Sequence, residues 1–551
     1  MCGIVGIVSK KETIKYEKRV KQALDSLSHR GPDDKRWYKD NHICFGYVRL
    51  AIRGLSEKYN QPIITDDTIS FANGEVYSIK GKEVSKEYND LLPLIGEITK
   101  NREQIYDYID ADFALCTFNK KKNTFILARD FYGVKPLFYS WLDKETLAFA
   151  SEIKSLQMLI GKEKTYDVET IKDYLIFGYP VGNKTFFKNI FRLPPKTIFE
   201  WNIDTNKKSY YQGNNKYINY TYNHSNAYEA IKEAVVNRLI SNRNIGAHLS
   251  GGYDSSLIAY ISGQKLDYIT AYNSVEDNDL KISNEVSDDM KLNHTIIKLP
   301  QLINYSEMID ILSSPIMSSG VFVPYEVAKV SSMYNKKVLL EGQGADELFL
   351  GYSRFKDIKK VSTKEQLIES LSNSDINMLN NLFSTDNITE KYVKSIKSNE
   401  LLAEGHKFYI DNFLSEILYI EDAMHMHFSI ENRVPYLSLP VRKFITKNGI
   451  YIGDNTIKDA IYNANKMIDS KSLQRDIKEN MNRDLLQELK NTDLEVIFKH
   501  KAFANLNYKE LRRIIENIDQ LKKKQLYLIW AIYNVHLWFE KNNFNERIVV
   551  N

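Results

Sequence analysis

Leu249-Ser250-Gly251-Gly252-Tyr253-Asp254-Ser255-Ser256 decides the architecture of the C-terminal half of this chain. The apolar run Ile245–Leu249 reads as a buried strand before it, and Ser255–Ser262 reads as a helix after it. Two glycines and small hydroxyls between strand and helix let backbone N–H groups close around a polyphosphate. The helix dipole favours an anion at the same place. The spacing is not GxxxxGKS/T, and the loop holds no lysine. It therefore suits the pyrophosphate that leaves when ATP adenylates an acid, rather than γ-phosphoryl transfer.

Outward from this loop, strand and helix alternate. A strand at Tyr268–Tyr272 precedes a helix near Ser283–Lys291, a strand at Thr295–Leu299, a helix at Tyr325–Tyr334 and a strand at Lys337–Leu340. That rhythm predicts a doubly wound parallel sheet. Directly after the last strand stands Glu341-Gly342-Gln343-Gly344-Ala345-Asp346-Glu347. Acids beside glycines at the carboxyl end of a parallel strand fit Mg²⁺ shared between protein and phosphate oxygens. From about Thr363 onward the pattern is almost all helical. A polar, aperiodic stretch from Trp201 to Asn226 reads as a linker, with a helix at Ala227–Leu239 beyond it. The expected domains are 1–205 and 225–551.

The N-terminal part alternates short β-like runs with turns: Ile4–Val8, His42–Val48, Thr68–Ala72, Phe113–Phe118, Thr124–Ala128, Leu137–Tyr139 and Leu147–Ala150. One helix is expected around Ile14–Leu27, and the whole suggests a packed pair of β-sheets. Cys2 stands at its start. If Met1 is trimmed, the thiol gains a free α-amine of pKa about 7.7–8.0 as its own general base. Then follow, in order, His29-Arg30-Gly31-Pro32-Asp33, Arg49-Leu50-Ala51-Ile52, Asn73-Gly74-Glu75-Val76-Tyr77, Tyr88-Asn89-Asp90 and Arg129–Leu137.

This ordered set resembles the N-terminal-nucleophile (class II) glutamine amidotransferases, and with the two C-terminal motifs it resembles the asparagine synthetase family. The resemblance implies an αββα Ntn-hydrolase sandwich followed by an ATP-pyrophosphatase α/β domain with extra helices. It assigns Cys2 as nucleophile, Asn73 and the Gly74 N–H to the oxyanion, and Arg49, Glu75 and Asp90 to glutamine. His29 is expected to be structural. Leu249, Ser250, Gly251, Gly252, Asp254, Ser255 and Gly342 would surround ATP and pyrophosphate, with Asp254 and Asp346 as Mg²⁺ ligands. Asp422-Ala423-Met424-His425-Met426 and Ser429–Leu437 are similar to the family's DRxSMxxSLExRVPFLD, and Lys458 would meet the α-phosphate. The family also joins its two sites by an ammonia channel. Departures from the pattern include Gln343 where an acid is usual, Glu341 where Ser is usual and Ser438 where Asp is usual, and the region between Val275 and Asp289 also differs.

The resemblance implies a ligase that uses glutamine and ATP to amidate a carboxylate, aspartate by default. Another carboxylate (a sugar uronic acid, a peptide or a specialised metabolite) competes, as does an intramolecular lactam- or cyclase-type amide former. Retention of Cys2, Arg49, Asn73 and Asp90 argues against the last. A nucleotide-sensing scaffold with dead sites would have lost Cys2 or the phosphate loop, and neither is lost. A net charge of +4 over 551 residues points to no nucleic-acid partner. No apolar run approaches the roughly 20 residues of a membrane span. The start lacks a signal-peptide pattern. Cys2, Cys44 and Cys116 form no CxxC, so a reducing cytoplasm is expected, and the family often dimerises.

Overall fold

The computed structural model describes residues 2–84, 91–213, 226–300, 303–385, 387–448, 451–452, 455–456 and 484–550. Asp90 and Lys458 lie outside them. The first strands are β1 (Cys2–Ser9), β2 (Asp34–Lys39), β3 (Ile43–Arg49), β4 (Ile63–Ile64), β5 (Thr68–Ile79) and β6 (Lys82–Glu83). After the helix Leu91–Asn101 come β7 (Ile109–Asn119), β8 (Thr124–Arg129), β9 (Phe138–Asp143) and β10 (Thr146–Ala150). The last are β11 (Phe191–Arg192), β12 (Thr197–Asn202) and β13 (Lys207–Gln212).

They form two antiparallel sheets, ordered β11-β9-β10-β1-β3-β2 and β13-β12-β8-β7-β5-β4, with β6 on β5. Phe45, Phe71, Phe125, Phe149 and Trp201 fill the space between them. Helices Glu17–Asp25 and Ile153–Ile160 pack on the outside of the first sheet, and Leu91–Asn101 on the second. The αββα sandwich is therefore present. The polar stretch after Trp201 is structured as far as Gln212, because Lys207–Gln212 pairs along β12 as an exposed edge strand. Edge strands carry little apolar signal, so the sequence reads them as linker.

The C-terminal sheet contains β14 (Ile245–His248), β15 (Asp267–Tyr272), β16 (Asn293–Lys298), β17 (Val338–Leu340) and β18 (Glu431–Arg433), all parallel. Its order is β16-β15-β14-β17-β18. Chain direction across the sheet reverses between β14 and β17, and a crevice for ligands opens beyond the carboxyl ends of strands at such a switch. Both glycine motifs leave the sheet there. A helical region follows and ends in Lys523–Lys541, which buries Trp530 and Trp538. Among the described residues no helix is long and apolar enough to cross a membrane.

The two parts are joined by buried charge. Arg238, on helix Ala227–Arg238, donates to both carboxyl oxygens of Asp110 on β7, at 3.1 and 3.2 Å. Lys135 Nζ donates to the Asn432 carbonyl at 3.3 Å.

Candidate active sites

Cys2 sits at the start of β1, opposite Arg49 in register, so both side chains project from one face of the first sheet. Its Sγ lies 2.9 Å from the Tyr47 hydroxyl. Burial raises the thiol pKa, against the pull of Tyr47, the Leu50 N–H and Arg49, so the resting sulfur is protonated and needs a base. The Cys2 nitrogen donates to Asn73 Oδ1 at 2.8 Å, across the sandwich from β5. Asn73 Nδ2 is buried and has no hydrogen-bond partner among the described residues. One amide thus accepts from the Cys2 nitrogen through its oxygen while its NH₂ group is left without a described partner.

The Asn73-Gly74-Glu75 segment lies inside β5, which runs on past the expected end at Ala72. Gly74 has φ +151° and presses on β7 so closely that a Cβ would meet the Asp112 carbonyl at 2.1 Å; no other residue fits there. Glu75 is buried against Arg53, Nη1 to Oε2 3.4 Å. The Arg49 guanidinium is wrapped by the loop that follows: it donates to the carbonyls of Arg53, Gly54 and Ser56 and to the Asn60 side chain. A glutamine carboxylate reaching Arg49 has to exchange with some of these oxygens.

His29 bonds through Nε2 to Glu152 Oε1 at 2.9 Å, a structural tie and not a base on the thiol. Its neighbour Arg30 is fully buried. Nε donates to the Cys2 carbonyl at 3.2 Å, and Nη1 to Glu152 at 3.1 Å and to Asp422 at 2.7 Å. Sequence reasoning gave neither Arg30 nor Tyr47 a role.

At the second site, helix Tyr253–Ser262 begins at Gly252. The Ser255 hydroxyl closes the preceding loop, 3.1 Å from both the Ser250 nitrogen and the Ser250 hydroxyl. Gly251 has φ +73°, and a Cβ there would lie 2.6 Å from the Asp279 carbonyl. A Cβ on Gly342 would lie 3.4 Å from Asp254 Cβ and 3.5 Å from the Ser255 nitrogen, so the two motifs touch. Tyr436 donates to the Asp254 carbonyl at 2.9 Å. Burial raises the pKa of its phenol, and the charges of Asp254 and Asp346 add to this.

Ser438 is a helix cap: its hydroxyl accepts from Val441 N at 3.3 Å, before helix Leu439–Asn448. Ser and Asp both serve there, so this departure is local. Leu249 is wholly buried and anchors the loop.

Residues 1–212 match a family model described as a glutamine amidotransferase domain, and residues 226–447 one described as asparagine synthase. Two Methanocaldococcus jannaschii proteins named "Putative asparagine synthetase (glutamine-hydrolyzing)" are similar. Number 1 is 30% identical over 425 residues, 67% of this chain and 73% of that protein. Number 2 is 28% identical over 499 residues, covering 77% and 95%. The Bacillus subtilis asparagine synthetase (glutamine-hydrolyzing) 2 is 28% identical over 492 residues, 79% of this chain but 65% of that protein's own length.

The chain belongs to the glutamine-hydrolyzing asparagine synthetase family.

Within this asparagine synthetase family member the departures at Glu341 and Gln343 converge. Glu341 Oε2 lies 3.2 Å from His248 Nδ1, and Oε1 lies 3.1 Å from His425 Nε2. His425 Nδ1 lies 2.7 Å from the Glu421 carbonyl. Gln343 Nε2 donates to Glu421 Oε1 at 2.9 Å. His425 itself stands where the family pattern has Ser. The sequence signal was a charged side chain ending an otherwise apolar strand, at His248, and another beginning the next motif, at Glu341.

Proposed function

We propose that this protein frees ammonia from glutamine at Cys2 and delivers it to a carboxylate activated as its acyl-adenylate at the 249–256 loop, releasing AMP and pyrophosphate. The observation that carries the reading is the contact between the two glycine motifs at the switch point, on the same helix-braced seam that Arg30 ties to Cys2.

At the first site the α-amine of a chain beginning at Cys2 accepts the thiol proton, held by Asn73 Oδ1. The thiolate attacks the glutamine amide carbon. Asn73 Nδ2 and the Gly74 N–H stabilise the oxyanion, an effect worth roughly 10²–10³ in kcat per donor. Ammonia leaves, and water clears the thioester. Arg49 takes the substrate carboxylate, and Glu75 with Asp90 the ammonium.

At the second site the acceptor carboxylate attacks the α-phosphorus of ATP. Ser250, Gly251, Gly252 and Ser255 receive the departing pyrophosphate, and Lys458 takes the α-phosphate. Asp254 and Asp346 offer the oxygen-only donors that suit Mg²⁺, which when bound offsets phosphate charge. Aspartate is the acceptor by family. The protein works in the cytoplasm, and a homodimer is consistent with the family.

Cys2→Ala should abolish glutamine-dependent amide formation and keep turnover with ammonium, and intact mass should show a chain starting at Cys2. Pyrophosphate release is to be screened over carboxylates, aspartate first. Release of ADP in place of AMP would overturn the assignment.

A further inference from the structure

Helix Ser415–His427 stands between the two sites and turns consecutive residues toward each of them. Asp422 faces the glutaminase side, bound to the Arg30 that also holds the Cys2 carbonyl. Glu421 faces the synthetase side, bound to Gln343 one residue beyond the Gly342 that packs on the phosphate loop.

The protonation pattern around Glu421 follows from the donors and acceptors. Both His425 nitrogens face acceptors, the Glu421 carbonyl on one side and the Glu341 carboxylate on the other, so the ring carries both protons. His248 is the second histidine on Glu341. Burial works against a charge on Glu341, but His248 and His425 hold its pKa below the usual carboxylate range. Glu421 is different. Oε1 takes only the neutral Gln343 amide, and Oε2 is buried, 3.4 Å from His425 Nδ1, with no hydrogen bond among the described residues. Burial first and the Glu341 charge second push Glu421 above the usual carboxylate range, with His425 and His248 pulling back. Glu341, Glu421 and His425 also lie within ligand distance of one another. With both ring nitrogens already donating, however, His425 has no lone pair for a cation, and a proton is the better occupant.

We propose that Glu421 is the proton acceptor for amide formation in this protein, doing the work of the acid that Gln343 has displaced, with Gln343, His425 and Glu341 as positioning residues. The assignment rests on the synthetase reading above. Ammonia attacks the acyl carbon of the adenylate: a C–N bond forms and the carbonyl π pair moves to oxygen. The resulting N–H⁺ gives its proton to Glu421 Oε2. The oxygen pair then re-forms the carbonyl as the C–O bond to phosphate breaks and AMP leaves with that bond's electrons.

The test is Glu421→Gln in the full chain, with ATP–pyrophosphate exchange and amide formation from ammonium measured separately. Exchange should persist while amide formation falls roughly 100-fold or more, the range of a lost general base. The wild-type rate should rise with pH along a limb displaced toward neutrality, which the variant lacks. Adding Gln343→Glu to Glu421→Gln should restore amide formation at least tenfold. Unchanged amide formation in Glu421→Gln overturns the proposal, as does a divalent metal bound stoichiometrically and lost in His425→Ala. If Glu421→Gln does not fold, a wild-type limb at an ordinary carboxyl pKa overturns it equally. Absence of carboxylate-dependent exchange in the wild type would reject the proposed function itself. Exchange with an unaffected variant rejects this inference alone.

Discussion

Arg30 and Asp422 form an ion pair at 2.7 Å, neither side chain exposed to solvent, at the seam between the sandwich and the parallel-sheet half. The same guanidinium holds the Cys2 carbonyl. One side chain thus holds both the Cys2 backbone and one of the buried contacts between the halves.

Arg30→Leu should accordingly do two things. It leaves Asp422 buried without its cation, a change that costs about 3–5 kcal/mol, readable in chemical unfolding. It should also raise the ratio of glutamate released to amide formed, the outcome expected when the proposed transfer of ammonia across this seam is disturbed. A normal ratio with lowered stability would confine Arg30 to a structural role.

Asn73→Ala removes the buried amide whose Nδ2 has no other described partner. Glutaminase kcat should fall about 10²–10³-fold, while the ammonium-dependent reaction holds. Steady-state rates with the two nitrogen donors decide it.

Gly251→Ala places a Cβ 2.6 Å from the Asp279 carbonyl at φ +73°. The strain is on the order of 1–3 kcal/mol, and it falls on the phosphate loop. The KM for ATP should rise, with glutamine hydrolysis unaffected.

Glu152 gives a pH dependence. Burial works against its charge, but His29 and then Arg30 hold its pKa down to about 2 from 4.5. A depressed carboxyl pKa adds stability above the unfolded value, and that contribution is lost as pH falls through the folded one. Between pH 4.5 and about 2 this site should lose up to about 3 kcal/mol. Glu152→Gln should flatten acid unfolding in that window.

Four strands of the parallel sheet were legible because short apolar runs alternate with helices, a pattern written in adjacent residues, whereas β18, the polar Glu-Asn-Arg, was not. The sandwich was legible for its core strands. β13 was missed because its Lys-Lys-Ser-Tyr-Tyr-Gln sequence lies at an edge with four of its six residues exposed. β5 was ended too early, at Ala72, because Asn73 and Gly74 have low strand propensity, and their pairing with β7 carries the strand on. Ser438, a departure from the family pattern, is a helix cap.

By itself the sequence determined which chemistry each half can perform: a cysteine next to the chain start, glycines where backbone must approach phosphate, and acids beside them. Those features are local, and spacing along the chain records them. Tertiary structure alone decided how the chemistries meet. Glu341 and His248 are far in sequence from Glu421 and His425, as Arg30 is from Asp422, and no periodicity links them across those gaps. Their hydrogen bonds, and the protons they share, exist only because helix Ser415–His427 is packed between the two sheets' ends, where burial makes an unpaired charge costly and so fixes each partner.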